Sequence, residues 1–256
     1  MTQDRPAAHH VDGASSPQRV LIVTNKLWYM INHRLHLLRR LVDEGYQVSI
    51  AGQGTPDEKA QLETLEISVH LREFVAYRMS PQKDARLVGV IRSLVREEKP
   101  DIVHLFTVKP IVFGKLALRT LKMAHRPTKL VLSLTGLGRL FLPNVSGGIR
   151  FLRDRVAGAI ARPVPGVVQS VTVETRADCD ELLELSQLRR DDIVVTKGTG
   201  IDLDIFKPAP REGPIVFLFA GRLLHSKGAH IYLEAAKRLI AEKTDARFLL
   251  AGIRDP

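Results

Sequence analysis

The stretch Gly221–Gly228 (GRLLHSKG) places two cationic side chains and two glycines between a strand-like and a helix-like segment. Arg222 offers a planar fork of N–H donors, and Lys227 offers a compact positive charge. A glycine-containing loop at a helix N-terminus also presents free backbone N–H groups and the positive end of the helix dipole. This combination suits a diphosphate, although it lacks the spacing of a Walker loop. A plain strand-to-helix turn is the alternative.

Two further glycine-containing stretches follow strand-like segments, at Lys197–Asp202 (KGTGID) and Ser133–Gly138 (SLTGLG). Glycine allows the backbone to approach a ligand closely. In open α/β sheets, ligands bind outside the carboxyl ends of the strands, where both stretches are expected to lie. SLTGLG lacks the third glycine of a dinucleotide fingerprint. Each stretch is a candidate ligand loop, with an ordinary connecting loop as the alternative.

Histidine and arginine side chains near other strands are the remaining candidates for chemistry. His104, in the run DIVHLF, is a weak candidate acid or base, with a structural histidine as the alternative. His33 and Arg34 open the first predicted helix, where they would bind an acceptor phosphate or lie on the surface. Trp28–Ile31 (WYMI) forms an apolar cluster in the first predicted loop, which would touch a membrane or fold on its own core.

The elements that must position these residues alternate between strand-like and helix-like segments. Strands are predicted at 19–24, 47–51, 101–106, 129–134, 167–173 and 193–196, and helices at 33–44, 87–98, 114–121, 150–161 and 176–185. This alternation predicts the α/β class, with a parallel sheet covered by helices on both faces.

A proline- and charge-rich linker at 206–213 is followed by a renewed alternation, with a strand at 215–220, a helix at 229–242 and a strand at 248–251. We therefore expect four segments along the chain. They are a disordered extension over 1–18, a Rossmann-like domain over 19–205, the linker, and a partial second Rossmann-like domain over 214–256.

Composition narrows the partners and the compartment. The 256 residues carry a net charge of +10 and a single cysteine, which suits a reducing compartment. No signal-peptide core or spanning apolar run is apparent, so a cytoplasmic location is expected. Without zinc-finger spacing or an aromatic RNA-binding motif, nucleic acid is not an expected partner. Five arginines lie between Arg139 and Arg162 against one acid, which, with Trp28–Ile31, predicts peripheral association with anionic membranes.

Several of these stretches together resemble the retaining two-Rossmann (GT-B) glycosyltransferases of family 4, or glycosyltransferase group 1, especially the branch that builds capsule, O-antigen and lipid-linked glycans. The segment RVLIVTNKLWYMINHRLHLLRRLVDEGYQVSIAG is similar to the family's opening strand–helix–strand, and PDIVHLFTVKPIVFGKLAL to its H-x-x-T-x-K-P stretch. LSLTGLGRLF resembles its T-G-L-G loop, TKGTGIDLDIFKP its hinge, and FAGRLLHSKG its donor loop.

The resemblance implies transfer of a hexosyl or N-acetylhexosaminyl group from a nucleotide-sugar donor to a glycan or polyprenyl-phosphate-linked acceptor. It assigns Arg222 and Lys227 to the donor diphosphate, and Gly198, Gly200 and Asp202 to a loop near the donor. The acceptor-side set comprises Asn32, His33, Arg34, Thr135, Gly136 and Gly138. The resemblance implies no catalytic metal ion and no cofactor, because basic side chains stabilise the leaving diphosphate.

The sequence departs from the family after the strand predicted at 248–251. The family's pair of acids, spaced E-x-x-x-x-x-x-x-E, is absent, as is the terminal helix that crosses back to the first domain. The expectation is a chain truncated in its second domain that transfers sugar poorly or not at all. The alternatives are a nucleotide-sugar 2-epimerase of the same fold, which the G-R-L-x-x-x-K-G and T-G-L-G stretches disfavour, and a non-catalytic fragment that binds acceptor or membrane.

Overall fold

The computed structural model describes residues 17–73, 81–137, 141, 147–203, 205–210 and 213–252; for 81–84, 123 and 226 only the backbone is described. The chain divides into two compact units, Met1–Asp202 and Leu203–Pro256. Most of the extension expected over 1–18 lies outside the described residues, as do Gly138 and Arg139.

The first unit is built on a seven-stranded parallel sheet with the order β3-β2-β1-β4-β5-β6-β7. Its first strand therefore lies inside the sheet, between β2 and β4. The strands are β1 (Arg19–Lys26), β2 (Gln47–Gln53), β3 (Ser68–Leu71), β4 (Ile102–Phe106), β5 (Lys129–Leu134), β6 (Val168–Val173) and β7 (Ile193–Val195).

Helices connect these strands in chain order. They are α1 (Leu27–His33), α2 (Leu35–Asp43), α3 (Pro56–Glu63), α4 (Pro81–Glu98), α5 (Val108–Thr120), α6 (Gly147–Ala161) and α7 (Arg176–Leu185). Short 3-10 turns lie at Met123–His125 and Arg190–Asp192.

Both faces of the sheet are buried, as β1 illustrates. Leu21 and Val23 belong to the hydrophobic cluster that includes residues of α4 to α7, whereas Val20 and Ile22 belong to the cluster that includes residues of α1 to α3. A strand buried on both faces is expected to be apolar at consecutive positions. The prediction of an α/β fold with helices on both sides of a parallel sheet is therefore confirmed.

The second unit contains a parallel pair of strands, β8 (Ile215–Ala220) and β9 (Ala246–Ala251), joined through α8 (Ala229–Ala241). A 3-10 turn at His225–Lys227 precedes α8. Large apolar side chains of this unit are exposed, including Phe217, Leu218, Leu249 and Leu250. Tyr232 of α8 donates its hydroxyl to the backbone oxygens of Phe217 and Leu249, at 2.9 and 2.8 Å, and so ties the helix to both strands.

Several predicted boundaries are wrong. The segment at Trp28–Ile31, expected to be a loop, is helical, because α1 starts at Leu27 directly after β1. The helix predicted over 33–44 is interrupted at Arg34, whose φ of −132° separates α1 from α2. The sequence analysis also missed α3 and β3.

Candidate functional site

The carboxyl edge of the first sheet contains a buried ion pair between Arg34 and Glu174. Arg34 lies at the junction of α1 and α2, and Glu174 directly follows β6. Although arginine is rarely buried, Arg34 is only 8% exposed. The pair joins segments 140 residues apart in the chain. The guanidinium is therefore held in one place at this edge rather than extended into solvent.

Tyr29 of α1 contacts the same guanidinium through its hydroxyl and its ring. Arg34 Nε donates to the Tyr29 hydroxyl at 3.0 Å, and the Arg34 Cζ atom lies 5.8 Å from the centre of the tyrosine ring. Thr135, just beyond β5, lies close enough to the Tyr29 hydroxyl to lower its pKa. Burial is the larger influence and raises the pKa of Tyr29 above its usual value of 10.0, with Arg34 opposing that rise. Tyr29 therefore remains a neutral phenol beside the ion pair.

A chain of polar side chains crosses three neighbouring strands beneath this edge. His104 Nε2 lies 2.7 Å from the Ser133 hydroxyl, which lies 2.7 Å from the Thr172 hydroxyl. The His104 ring stacks on Phe106, with the ring centres 4.1 Å apart. Burial, assisted by the Arg34 cation, lowers the pKa of His104 to about 3. The imidazole is neutral at physiological pH, and its low basicity makes it a weak general base.

The loop after β7 reaches the same edge. The backbone N–H of Gly198 donates to the carbonyl oxygen of Glu174 at 3.1 Å. Gly198 and Gly200 have φ of +98° and +74°, a region that favours glycine. Gly136, next to Thr135, has φ of +87° and is exposed. Three glycines singled out in the sequence thus lie in left-handed turns that follow β5 and β7.

In the second unit, Arg222 and Lys227 lie in the loop that follows the carboxyl end of β8. Both side chains are exposed. The loop ends at Gly228, whose φ of +78° starts α8, and no side chain caps the N-terminus of this helix. The first backbone N–H groups of such a helix point out of its end and are available to an anion.

Close packing holds the loop after β8 against the end of β9. A Cβ atom built on Gly252 would lie 1.8 Å from the carbonyl oxygen of Gly221. The two backbones therefore approach so closely that only glycine fits at position 252.

The structure brings some of the predicted site residues together and leaves others apart. Arg34 and Gly198 are both bonded to Glu174, and Thr135 lies near Tyr29, which accepts a hydrogen bond from Arg34. His33 is exposed and contacts the Trp28 and Tyr29 rings, whereas Asn32 donates to the Trp28 carbonyl oxygen of its own helix at 2.8 Å. Asp202 is half-buried at the end of the first unit, and Gly138 lies outside the described residues.

Sequence reasoning missed Glu174 and the role of Tyr29. Glu174 follows the strand-like run VQSVTV directly, so an acid at the carboxyl end of a strand was a usable signal. For Trp28–Ile31, the structure agrees better with packing on the protein's own core than with a membrane-touching surface, because Met30 is fully buried and only Trp28, at 53%, is largely exposed.

Within the described ranges, no three His, Cys, Asp or Glu side chains are grouped closely enough to hold a metal ion. In the same part of the chain, no helix has the length and apolar character that crossing a membrane would require.

Comparison with known proteins identifies one family model, Glycosyltransferase Family 4, which matches residues 32–205. No curated protein matches the sequence significantly. Solved structures with a similar fold include Anabaena HepE in complex with UDP and glucose, which is 18% identical with a TM-score of 0.64. The alignment covers 93% of this chain and 62% of that one.

Two further structures share the fold at comparable distance. Sucrose-phosphate synthase from Thermosynechococcus elongatus is 15% identical with a TM-score of 0.67, over 93% of this chain and 63% of that chain. A putative UDP-N-acetylglucosamine 2-epimerase from Listeria monocytogenes is 16% identical with a TM-score of 0.59, over 92% and 63%. The chain therefore spans less than two thirds of the length of these structures.

Proposed function

Because the chain belongs to Glycosyltransferase Family 4 and has the GT-B type of fold, we propose that it transfers a sugar from a nucleotide-sugar donor to a glycan or polyprenyl-phosphate-linked acceptor. The proposed reaction retains the anomeric configuration. An acceptor oxygen forms a bond to the anomeric carbon, the bond from that carbon to the diphosphate oxygen breaks, and the acceptor proton leaves with the nucleoside diphosphate or solvent. The proposed pathway is the synthesis of a surface polysaccharide.

The observation that carries the proposal is the loop between β8 and α8. It combines the exposed cations Arg222 and Lys227 with a helix N-terminus that no side chain caps. Negative charge develops on the diphosphate as its bond to the sugar breaks, and cations or helix N-termini fixed beside that charge lower the barrier. We assign the donor diphosphate to this loop, with no metal ion in the reaction.

The proposed donor contains a nucleoside diphosphate, since the Anabaena HepE structure contains UDP and glucose. We also assign Gly198, Gly200 and Asp202 to the surroundings of the donor. Left-handed turns at Gly198 and Gly200 leave open space where side chains would otherwise stand, because no atom lies within 4 Å of a Cβ built on either residue.

The acceptor is proposed to bind at the carboxyl edge of the first sheet. Thr135, next to Gly136, lies there near Tyr29, and exposed His33 lies on the same helix as Tyr29. Because Glu174 neutralises Arg34, this edge is suited to a hydroxyl-bearing sugar more than to a free phosphate. We place the enzyme in the cytoplasm, associated peripherally with an anionic membrane that supplies the lipid-linked acceptor.

Isothermal titration calorimetry with UDP tests the donor assignment. Charge-assisted hydrogen bonds contribute about 1.5–3 kcal/mol each, so Arg222→Gln with Lys227→Gln is expected to weaken UDP binding at least tenfold. Lys237→Gln with Arg238→Gln removes the same charge from an exposed part of α8 and is the matched control. Equal affinities of the two double variants would contradict the assignment.

Product analysis by NMR separates transfer from the alternatives. With a UDP-sugar and a glycan acceptor, a new glycosidic anomeric signal supports transfer. Inversion at C2 of the donor sugar without a new linkage supports the epimerase alternative, which the similarity to the Listeria protein raises. UDP binding without turnover would support a non-catalytic, ligand-binding role.

A further inference from the structure

Helices α5 and α6 expose apolar side chains that a soluble protein usually buries. Phe151 is 65% exposed, Leu116 48%, Ile149 43% and Leu152 38%. Phe151 lies at the start of α6, and Leu116 lies on α5, where it lines a groove together with Arg155 of α6. Ile149 is two residues from Phe151 and therefore faces another side of the helix. Single exposed apolar residues are common, but exposed apolar side chains that share one surface mark a contact site for a partner or a membrane.

Arginines lie among these apolar side chains. Arg119 of α5 and Arg155 of α6, with Arg162 just beyond, line a groove of about 950 Å³ that also includes Leu116. The Arg155 guanidinium carbon lies 5.3 Å from the centre of the Phe151 ring, a cation–π contact that joins the apolar and cationic parts. We call Leu116, Arg119, Phe151, Arg155 and Arg162 the α5–α6 surface.

The other charges of the groove do not cancel these arginines. Asp154 lines the groove but accepts a hydrogen bond from Arg153 at 3.1 Å. Glu184, at the end of α7, is the second acid. Lys115, only 2% exposed, lies in the groove wall and donates to the carbonyl oxygen of Ile160. Within the described residues, the three arginines of this groove therefore face Glu184 as the one acid that is not paired with another arginine.

We propose that the α5–α6 surface is the part of this protein that docks on an anionic lipid bilayer. Arginine and aromatic side chains together match the headgroup region, where phosphates contact the cations and rings reach the upper acyl chains. Negative charge on the cytoplasmic leaflet supplies the electrostatic complement. The inference rests on the membrane association proposed above and assigns it to α5 and α6 rather than to α1.

The α1 helix is the weaker surface on structural grounds. It buries Leu27 and Met30, and Tyr29 is bonded to Arg34, so Trp28 alone presents a mostly exposed apolar ring there. One aromatic ring contributes less to partitioning than the two apolar side chains and three arginines of the α5–α6 surface together. If the α5–α6 surface docks on the membrane, substitutions there should weaken membrane binding, whereas substitution of Trp28 on α1 should not.

Flotation of the full chain with phosphatidylglycerol-containing vesicles, compared with pure phosphatidylcholine vesicles, tests the proposal. Each basic residue contributes roughly a factor of five to partitioning onto an anionic surface. The triple variant Arg119→Gln, Arg155→Gln, Arg162→Gln is expected to bind about a hundredfold more weakly. The triple variant Arg39→Gln, Arg40→Gln, Arg72→Gln carries the same charge change on other elements and is expected to lose far less binding.

Apolar variants complete the test. Leu116→Ser with Phe151→Ser is expected to weaken binding even in high salt, whereas Trp28→Ser is expected to leave it nearly unchanged. Circular dichroism establishes that each variant is folded, and UDP titration reports donor binding independently of vesicles. Failure of the wild-type chain to bind anionic vesicles, or loss of binding with Trp28→Ser alone, overturns the proposal. In either case, intact UDP binding would leave the proposed transferase function standing.

Discussion

Replacement of Glu174 by glutamine leaves the buried Arg34 cation without its counter-charge. Removing one partner of a buried ion pair costs about 3–5 kcal/mol, because the remaining charge stays desolvated. Here the Arg34 and Glu174 side chains are 10% and 23% exposed, and Arg34 keeps its 3.0 Å bond to Tyr29. Since some solvent and one hydrogen bond remain, we expect Glu174→Gln to reduce the free energy of unfolding by about 2–3 kcal/mol.

Urea and thermal unfolding, followed by circular dichroism, measure this loss. In a domain of this size, 1 kcal/mol corresponds to roughly 2–4 °C in melting temperature, so a decrease of about 5–10 °C is expected. The matched control is Glu44→Gln, which breaks an ion pair with Arg40 on α2. Those two side chains, Glu44 and Arg40, are 45% and 72% exposed, so the control should cost less than about 1 kcal/mol.

A double variant separates the burial of charge from the loss of a contact. Arg34→Met with Glu174→Leu removes both charges and keeps apolar volume, so it should be less destabilised than Glu174→Gln alone. Equal destabilisation by Glu174→Gln and Glu44→Gln would refute the burial of charge as the cause. A double variant that loses as much stability as Arg34→Met and Glu174→Leu lose in sum would refute it as well.

Three further predictions concern buried titratable groups and one close backbone contact. Burial and the Arg34 cation lower the pKa of His104 to about 3. The free energy of unfolding should therefore fall by roughly 1.4 kcal/mol per pH unit as the pH drops from about 6.5 towards 3. In urea titrations, His104→Gln should flatten that slope, and an unchanged slope would contradict the role of His104. Burial and Arg119 lower the pKa of Lys115 from 10.5 to about 7. The free energy of unfolding should therefore rise between pH 7 and about 10. Lys115→Met should lose this rise, whereas Lys122→Met, at an exposed position, should keep it. Gly252→Ala places a Cβ atom 1.8 Å from the Gly221 carbonyl oxygen, so the loop after β8 should shift and the affinity for UDP should fall. Gly89→Ala, which has open space around its Cβ atom, should leave the affinity unchanged. Equal affinities of the two variants would disprove the link between this contact and the loop.

The hydrophobic pattern predicted the sheet well because inner strands such as β1 and β2 are buried on both faces. Runs such as VLIV and LVL are apolar at successive positions, and the helices between them leave few alternatives to a parallel sheet. Helix α3 was missed because its segment PDEKAQLE is mostly polar, although Thr55 and Glu58 form a capping box that marks its start.

The ion pair at the sheet edge could not be predicted from local sequence patterns. Arg34 and Glu174 are 140 residues apart, and only the strand order β1-β4-β5-β6 brings their segments to one edge. The sequence predicts that Arg34 either binds an acceptor phosphate or lies on the surface, because arginine is usually solvated, whereas the fold buries it beside Tyr29 and Phe106. The sequence singled out Gly198 and Gly200 as positions of close approach to a ligand, and the structure adds that both have left-handed φ.

The inner position of β1 has a consequence for synthesis on the ribosome. The strand pairs early with β2, but its second neighbour, β4, ends about 80 residues after β1 does. At roughly 5–20 residues per second, the edge of β1 that pairs with β4 stays unpaired for several seconds during translation. Until residue 106 has been synthesised, the backbone groups along that edge have no sheet partner.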